Sequence, residues 1–240
     1  VSESDITIDR HLHEWLGAWP SPGGVDVVGS AKRLQPGWDG AVTPLLGVLT
    51  PSGGVVSVAP SLLDATRQHL GGRVGDPGSA DESAPDDSAP DESVLAGLPA
   101  AIGLRGRLLV GLFRFTTAPT GLPDAGIWRP ADDRAVPDWL RPFGGEVLVA
   151  LDDHGRYLAG VGLKRHDPFG QEIAVGTEPA ARGQGLARRL VAQAARAVLA
   201  HGAVPTYIHA FDNLASGRVA EAAGFPDRGW RSLGVFGGAP

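Results

Sequence analysis

A chain of 240 residues with 42% hydrophobic and 20% charged side chains can bury one large core or two small ones, and no apolar run approaches the roughly 18–20 residues of a membrane span. Zero cysteines exclude a disulfide framework, a thiolate zinc site and a cysteine nucleophile. With 21 basic against 27 acidic residues, a net charge of -6, and no basic-then-apolar leader in VSESDITIDRHLHEW, the expectation is a cytoplasmic protein with no nucleic-acid or membrane partner.

In chain order, VDVVGS at 25–30, PLLGVLT at 45–51 and GGVVSVAP at 53–60 read as short strands between glycine- and proline-rich turns, and SLLDATRQHL at 61–70 as a helix stopped by Gly71 and Gly72. This is a small accessory α/β unit, placed at 1–74. Residues 75–93 carry seven carboxylates and no lysine or arginine, with DESAP followed by DDSAP; having no apolar side chain larger than Ala or Pro, they read as a disordered acidic linker. The main domain is placed at 94–240. It opens with a helix over 94–104 interrupted by Pro99 and a strand at 106–115; EVLVAL at 146–151 and RYLAGVGLKR at 156–165 then form an antiparallel hairpin around DDHG. QEIAVGT at 171–177 is the next strand. Leu186, Leu190, Val191, Ala194, Ala195, Val198 and Leu199 share one face of a following helix, with Arg188, Arg189, Gln193 and Arg196 outside it. A strand at 205–211, a short helix at 216–223 and a strand at 230–236 complete the chain.

Chemistry concentrates between the strand at 171–177 and the long helix, in Arg182-Gly183-Gln184-Gly185-Leu186-Ala187. Two glycines allow a tight turn whose amides face outward at the positive helix end, an arrangement that binds a pyrophosphate. It is no P-loop, since no Gly-Lys-Ser/Thr follows, and no dinucleotide fingerprint, since the third glycine would fall at Arg188. Arg182-x-x-Gly185-x-Ala187, preceded by Val175-Gly176-Thr177 and followed by Asn213-Leu214-Ala215-Ser216 and Ala222-Ala223-Gly224-Phe225, resembles the GCN-five-related N-acetyltransferases, the GNAT superfamily. The likeness is fullest over 140–240.

The resemblance implies an α/β fold of the GNAT acyl-CoA N-acyltransferase type, a mixed and mostly antiparallel sheet flanked by helices. It implies acetyl-CoA as co-substrate and a small-molecule amine or protein amine as acceptor. By the same resemblance Val175 and Thr177 would pair with the pantetheine arm, Gly183, Gln184, Gly185, Leu186 and Ala187 would hold the pyrophosphate, and Arg182, Arg188 and Arg189 would reach phosphates. Asn213 would bond the pantetheine or fix its loop, and Ser216 would lie near the thioester sulfur. The family's general-acid tyrosine falls at Ala220 here, leaving Tyr207 or Ser216 as proton source. Glu172 is the first candidate for the base and Glu146 the second, because an alkylammonium must lose its proton before it attacks. With no cysteine to carry an acyl group, transfer should be direct, in a ternary complex.

A non-catalytic acyl-CoA-binding or regulatory module is the rival reading, favoured by Ala220 and by the N-terminal unit. His11, His13 and Glu14 lack metal-ligand spacing and read as surface or capping groups at a chain terminus, so no metal is assigned. His154 and His166 fall in turns, while His209 either lines the acceptor cleft or packs in the core. Asp132, Asp133 and Asp138 either attract a cationic acceptor or form a solvated loop.

Overall fold

The computed structural model describes residues 3–21, 24–71 and 92–235. Its helices are α1 (Glu3–Leu16), α2 (Leu63–His69), α3 (Glu92–Ala101), α4 (Leu186–Ala200) and α5 (Leu214–Ala222). Its strands are β1 (Gly24–Gly29), β2 (Leu45–Thr50), β3 (Gly53–Val58), β4 (Leu108–Phe115), β5 (Ile127–Pro130), β6 (Glu146–Leu151), β7 (Tyr157–Arg165), β8 (Gly170–Thr177), β9 (Val204–His209) and β10 (Arg231–Val235). The acidic linker expected at 75–93 lies outside the described residues, apart from Glu92 and Ser93 in α3.

Two compact units are built from interleaved segments, one from Val1–His11 with Arg114–Asp227, the other from Leu12–Phe113 with Arg228–Pro240. The units are therefore not the consecutive segments that boundaries at 74 and 94 describe. α3 and β10, which the sequence reading placed with the C-terminal domain, belong to the second unit, where β10 is hydrogen-bonded between β2 and β4.

The second unit is mostly antiparallel, with β1 added in parallel to β3. Its strands are buried on both faces in β2 and β3, which explains their unbroken apolar runs. Val27, Leu45, Val56, Leu95, Leu98 and Leu233 form its core.

In the first unit β5, β6, β7 and β8 pair antiparallel in sequence order, and β9 joins β8 in parallel. Side chains alternate between faces. One face of β6, β7 and β8 presents Leu148, Ala150, Val161, Leu163 and Ile173, which pack with Leu190, Val191, Ala194, Ala195 and Val198 of α4 in one cluster. The opposite face presents Val147 and Val149, packed with Leu140 and Val136. The polar side of α4 holds a loop instead of facing solvent. Gln193 accepts the amides of Ala125 and Gly126, Arg189 donates to the carbonyls of Pro123 and Asp124, and Arg196 donates to those of Thr120 and Leu122.

α1, β5 and a 3-10 turn at Asp138–Phe143 are additions to the sequence reading. His11 is correspondingly not a surface group: it is fully buried, with Nδ1 2.7 Å from the Asp167 carboxylate. It lies so close to Gly170 that a Cβ there would meet its Nδ1 at 2.0 Å, so only glycine fits at the start of β8.

Candidate active site

β8 and β9 pair at only three positions, Gly170 with Val204, Gln171 with Pro205 and Glu172 with Thr206. Beyond them β8 continues to Thr177 and β9 to His209, so the two strands diverge and a cleft opens at the carboxyl end of a parallel pair. Its volume is about 690 Å³, and Val175, Gly176 and Thr177 line one side of it.

The glycine loop closes one end of the cleft. Gly183 and Gly185 have φ of +78° and +74°, the left-handed region, and Gly185 is the N-cap of α4 without a side-chain cap. The first amides of a helix lack intrahelical acceptors, so the loop offers donors at the positive end of α4. Gly183, Gly185, Leu186 and Ala187 line the cleft together with Arg182 and Arg188. Gln184, although between the two glycines, is not a lining residue, and Arg189 is committed to the 123–124 carbonyls. Arg218 of α5 adds a third guanidinium that the sequence reading did not select; its place three residues after Ala215, on the same helix face, was the available signal.

α5 forms the other wall. Asn213 caps it, its Oδ1 accepting the Ser216 amide at 3.1 Å, so the residue fixes the first turn of α5, which carries Ser216. The Ser216 hydroxyl is 2.7 Å from that of Tyr207, which reaches across from β9 and is 2% exposed. Burial pushes the Tyr207 phenol above its ordinary value, against smaller opposing effects of the Ser216 hydrogen bond and the Arg114 charge. It therefore keeps its proton through the neutral range. Ala220 is fully buried, while Ala215, Ser216, Arg218, Val219 and Ala222 line the cleft, so position 220 faces the core.

Neither proposed base reaches the cleft. Alternation along β8 turns Glu172 to the face opposite Ile173 and Val175, where its carboxylate is 2.5 Å from Lys164 Nζ and 3.1 Å from His166 Nε2. Burial alone would raise its pKa, but the His166 hydrogen bond and the charges of Lys164 and His166 outweigh it and hold the carboxyl below its ordinary value. Glu146 lines a separate cavity at the other end of α4. His209 is buried at the edge of the Tyr207 ring and is not a lining residue. Asp133 and Asp138 pair with Arg129 and Arg141. Among the described residues no group of three or more His, Cys, Asp or Glu is placed to hold a metal ion, and no helix is long and apolar enough to cross a membrane.

The acetyltransferase (GNAT) family model matches residues 113–225, nearly the span of Arg114–Asp227 in the first unit. No curated protein matches the sequence. Among solved structures, a protein named for the GNAT acetyltransferases from Novosphingobium aromaticivorans DSM 12444 is 23% identical, with a TM-score of 0.54 over 98% of this chain and 99% of that one, a likeness of fold. A GNAT-family acetyltransferase from Colwellia psychrerythraea is 16% identical with a TM-score of 0.42, over 56% of this chain; the chain spans 57% of that protein's length. A tandem GNAT protein from the clavulanic acid biosynthesis pathway is 17% identical with a TM-score of 0.43, over 66% of this chain and 62% of that one. Residues 113–225, just under half of the chain, are a GNAT acetyltransferase domain.

Proposed function

We propose that the chain transfers an acetyl group from acetyl-CoA to a primary amine by direct attack in a ternary complex. The observation that carries this reading is the Tyr207–Ser216 hydroxyl pair in the same cleft as the glycine loop: a buried, protonated donor beside a phosphate-binding turn. The cleft suits the co-substrate. Loop amides and Arg182, Arg188 and Arg218 match polyphosphate charge, and the edge of β8 beyond Glu172, which β9 leaves unpaired, offers backbone groups of Val175 and Thr177 to the amides of a pantetheine arm.

A backbone N–H of β8 near Val175 would polarise the thioester carbonyl, the electrostatic contribution that acyl transfer most needs. The amine nitrogen then forms its bond to the acetyl carbon as the carbon–sulfur bond breaks. The departing thiolate takes the proton of Tyr207, which Ser216 is placed to relay; the product nitrogen releases one proton to solvent, and one proton returned from solvent restores the Tyr207 phenol. Among the described residues the cleft lining holds no carboxylate or imidazole, so the acceptor attacks from its neutral form. The acceptor is a small-molecule amine or a protein amine. Thiol release from acetyl-CoA across an amine library tests the reading: turnover with at least one amine is expected. Tight acetyl-CoA binding with no turnover of any amine would favour a binding module instead.

A further inference from the structure

A second cavity of about 300 Å³ lies at the opposite end of α4 from the glycine loop. The 15 residues of α4 separate the two by roughly 22 Å. Its floor is the sheet face under α4: Trp128 of β5, paired opposite Leu148, then Glu146 of β6, Leu163 and Arg165 of β7, and Gln171 of β8, paired opposite Arg165. Val198 and His201, in the last turn and C-cap of α4, form the roof.

The polar groups here are unspent. Among the described residues Glu146, Arg165 and Gln171 make no side-chain hydrogen bond or ion pair. A carboxylate and a guanidinium thus open on one small cavity without meeting each other; Trp128, Leu163, Ala197 and Val198 form its apolar wall, and His201, whose Nδ1 is on the Ala197 carbonyl, closes it. A phosphate would be repelled by Glu146. A simple amine would leave Arg165 without an acceptor. A ligand with both charges and a short apolar body satisfies all three parts.

We propose that this cavity binds a free α-amino acid with an apolar side chain, at a site separate from the acetyl-transfer cleft. Arg165 takes the α-carboxylate through its planar fork of donors. Glu146 takes the α-ammonium, which the negative end of α4 also favours. The side chain packs on Trp128, Leu163 and Val198. At about 300 Å³ the cavity is at the small end of ligand sites, which suits one amino acid and excludes a nucleotide.

The test is calorimetric titration of the full chain, without acetyl-CoA, using free leucine, valine and phenylalanine beside their methyl esters and their decarboxylated amines. At least one amino acid should bind with a Kd below about 1 mM, and its ester and amine at least about 10-fold more weakly. Glu146→Gln and Arg165→Gln, both exposed positions whose thermal melts should match the parent, should each weaken it by about 10-fold or more, whereas Gly185→Val should leave it unchanged. Absence of binding by all three amino acids at about 10 mM would overturn the proposal. So would binding that survives both substitutions, or binding that disappears in Tyr207→Phe, since that result would put the amino acid in the transfer cleft as an acceptor.

Discussion

Replacing Tyr207 by Phe removes one oxygen from a side chain that is 2% exposed and keeps its ring, so the packing against Phe225 and His209 stays. What disappears is the 2.7 Å contact with Ser216 and the proton it controls. The size of the kinetic effect follows from the leaving group. A coenzyme thiol resembles a cysteine, with a pKa of about 8.5, so at pH 7 its thiolate is about 1.5 units below neutral balance and protonation is worth about 2 kcal/mol. An acid that supplies that proton can therefore accelerate departure by at most about 30-fold at pH 7, and by little at pH 8.5. Turnover of Tyr207→Phe should fall by about that factor at pH 7 and approach the parent as pH rises, with acetyl-CoA affinity unchanged. Because the phenol is held above its ordinary pKa of about 10, the parent should show no loss of activity from its ionisation below that pH. Continuous thiol detection from pH 6.5 to 9 provides the measurement. Equal turnover of both proteins at pH 7, or a loss that is the same at every pH, would remove Tyr207 as proton donor.

Gly185→Val places a β-branched side chain at φ +74° with its Cβ 3.0 Å from Arg188 Nε, in the mouth of the phosphate loop; acetyl-CoA affinity should drop by about 100-fold or more while circular dichroism is retained. Asn213→Ala removes the cap of α5 and should cost about 1 kcal/mol, read as a fall in Tm of roughly 2–4 °C. Arg218→Gln should weaken acetyl-CoA by about 3–5-fold at low ionic strength and by less at high salt, since its guanidinium is solvent-exposed.

Much of the first unit was legible because periodicity there is unambiguous. The β6–β7 hairpin and α4 fall within a residue or two of the sequence reading, as β-branched alternation and an apolar stripe stopped by glycine both demand. α1 buries Ile8, Leu12, Trp15 and Leu16 at a helical spacing, but these few apolar positions within a polar, charged segment form too weak a stripe to mark a helix from periodicity alone. The interleaving of the two units could not be read at all. It depends on β10 pairing with β2 across about 180 residues of sequence, and pairing partners leave no trace in the periodicity of either strand.

Within the site, the glycine-loop positions line the cleft because backbone geometry puts them there, whereas the carboxylates fall elsewhere because a side chain's face decides it. Glu172 illustrates the difference. One strand step sets whether a residue looks into the cleft or onto the opposite face, and the sequence gives no hint that Lys164 and His166 wait there. We assign this carboxylate to holding the β7–β8 turn. Its pKa is lower folded than unfolded, so its contribution is full above the ordinary glutamate value of about 4.3 and is lost as pH falls through the folded value. Glu172→Gln should accordingly lower stability at pH 7 by about 2 kcal/mol, or roughly 4–8 °C, and the gap to the parent should close in acid, where the parent's carboxyl is itself neutral. Turnover per folded molecule should stay within about twofold of the parent, far from the roughly 100-fold loss that follows removal of a general base. A turnover loss of that size which shrinks as pH rises would return Glu172 to the chemistry. A stability gap unchanged down to pH 3 would instead show that the charge is not what the pair with Lys164 and His166 uses.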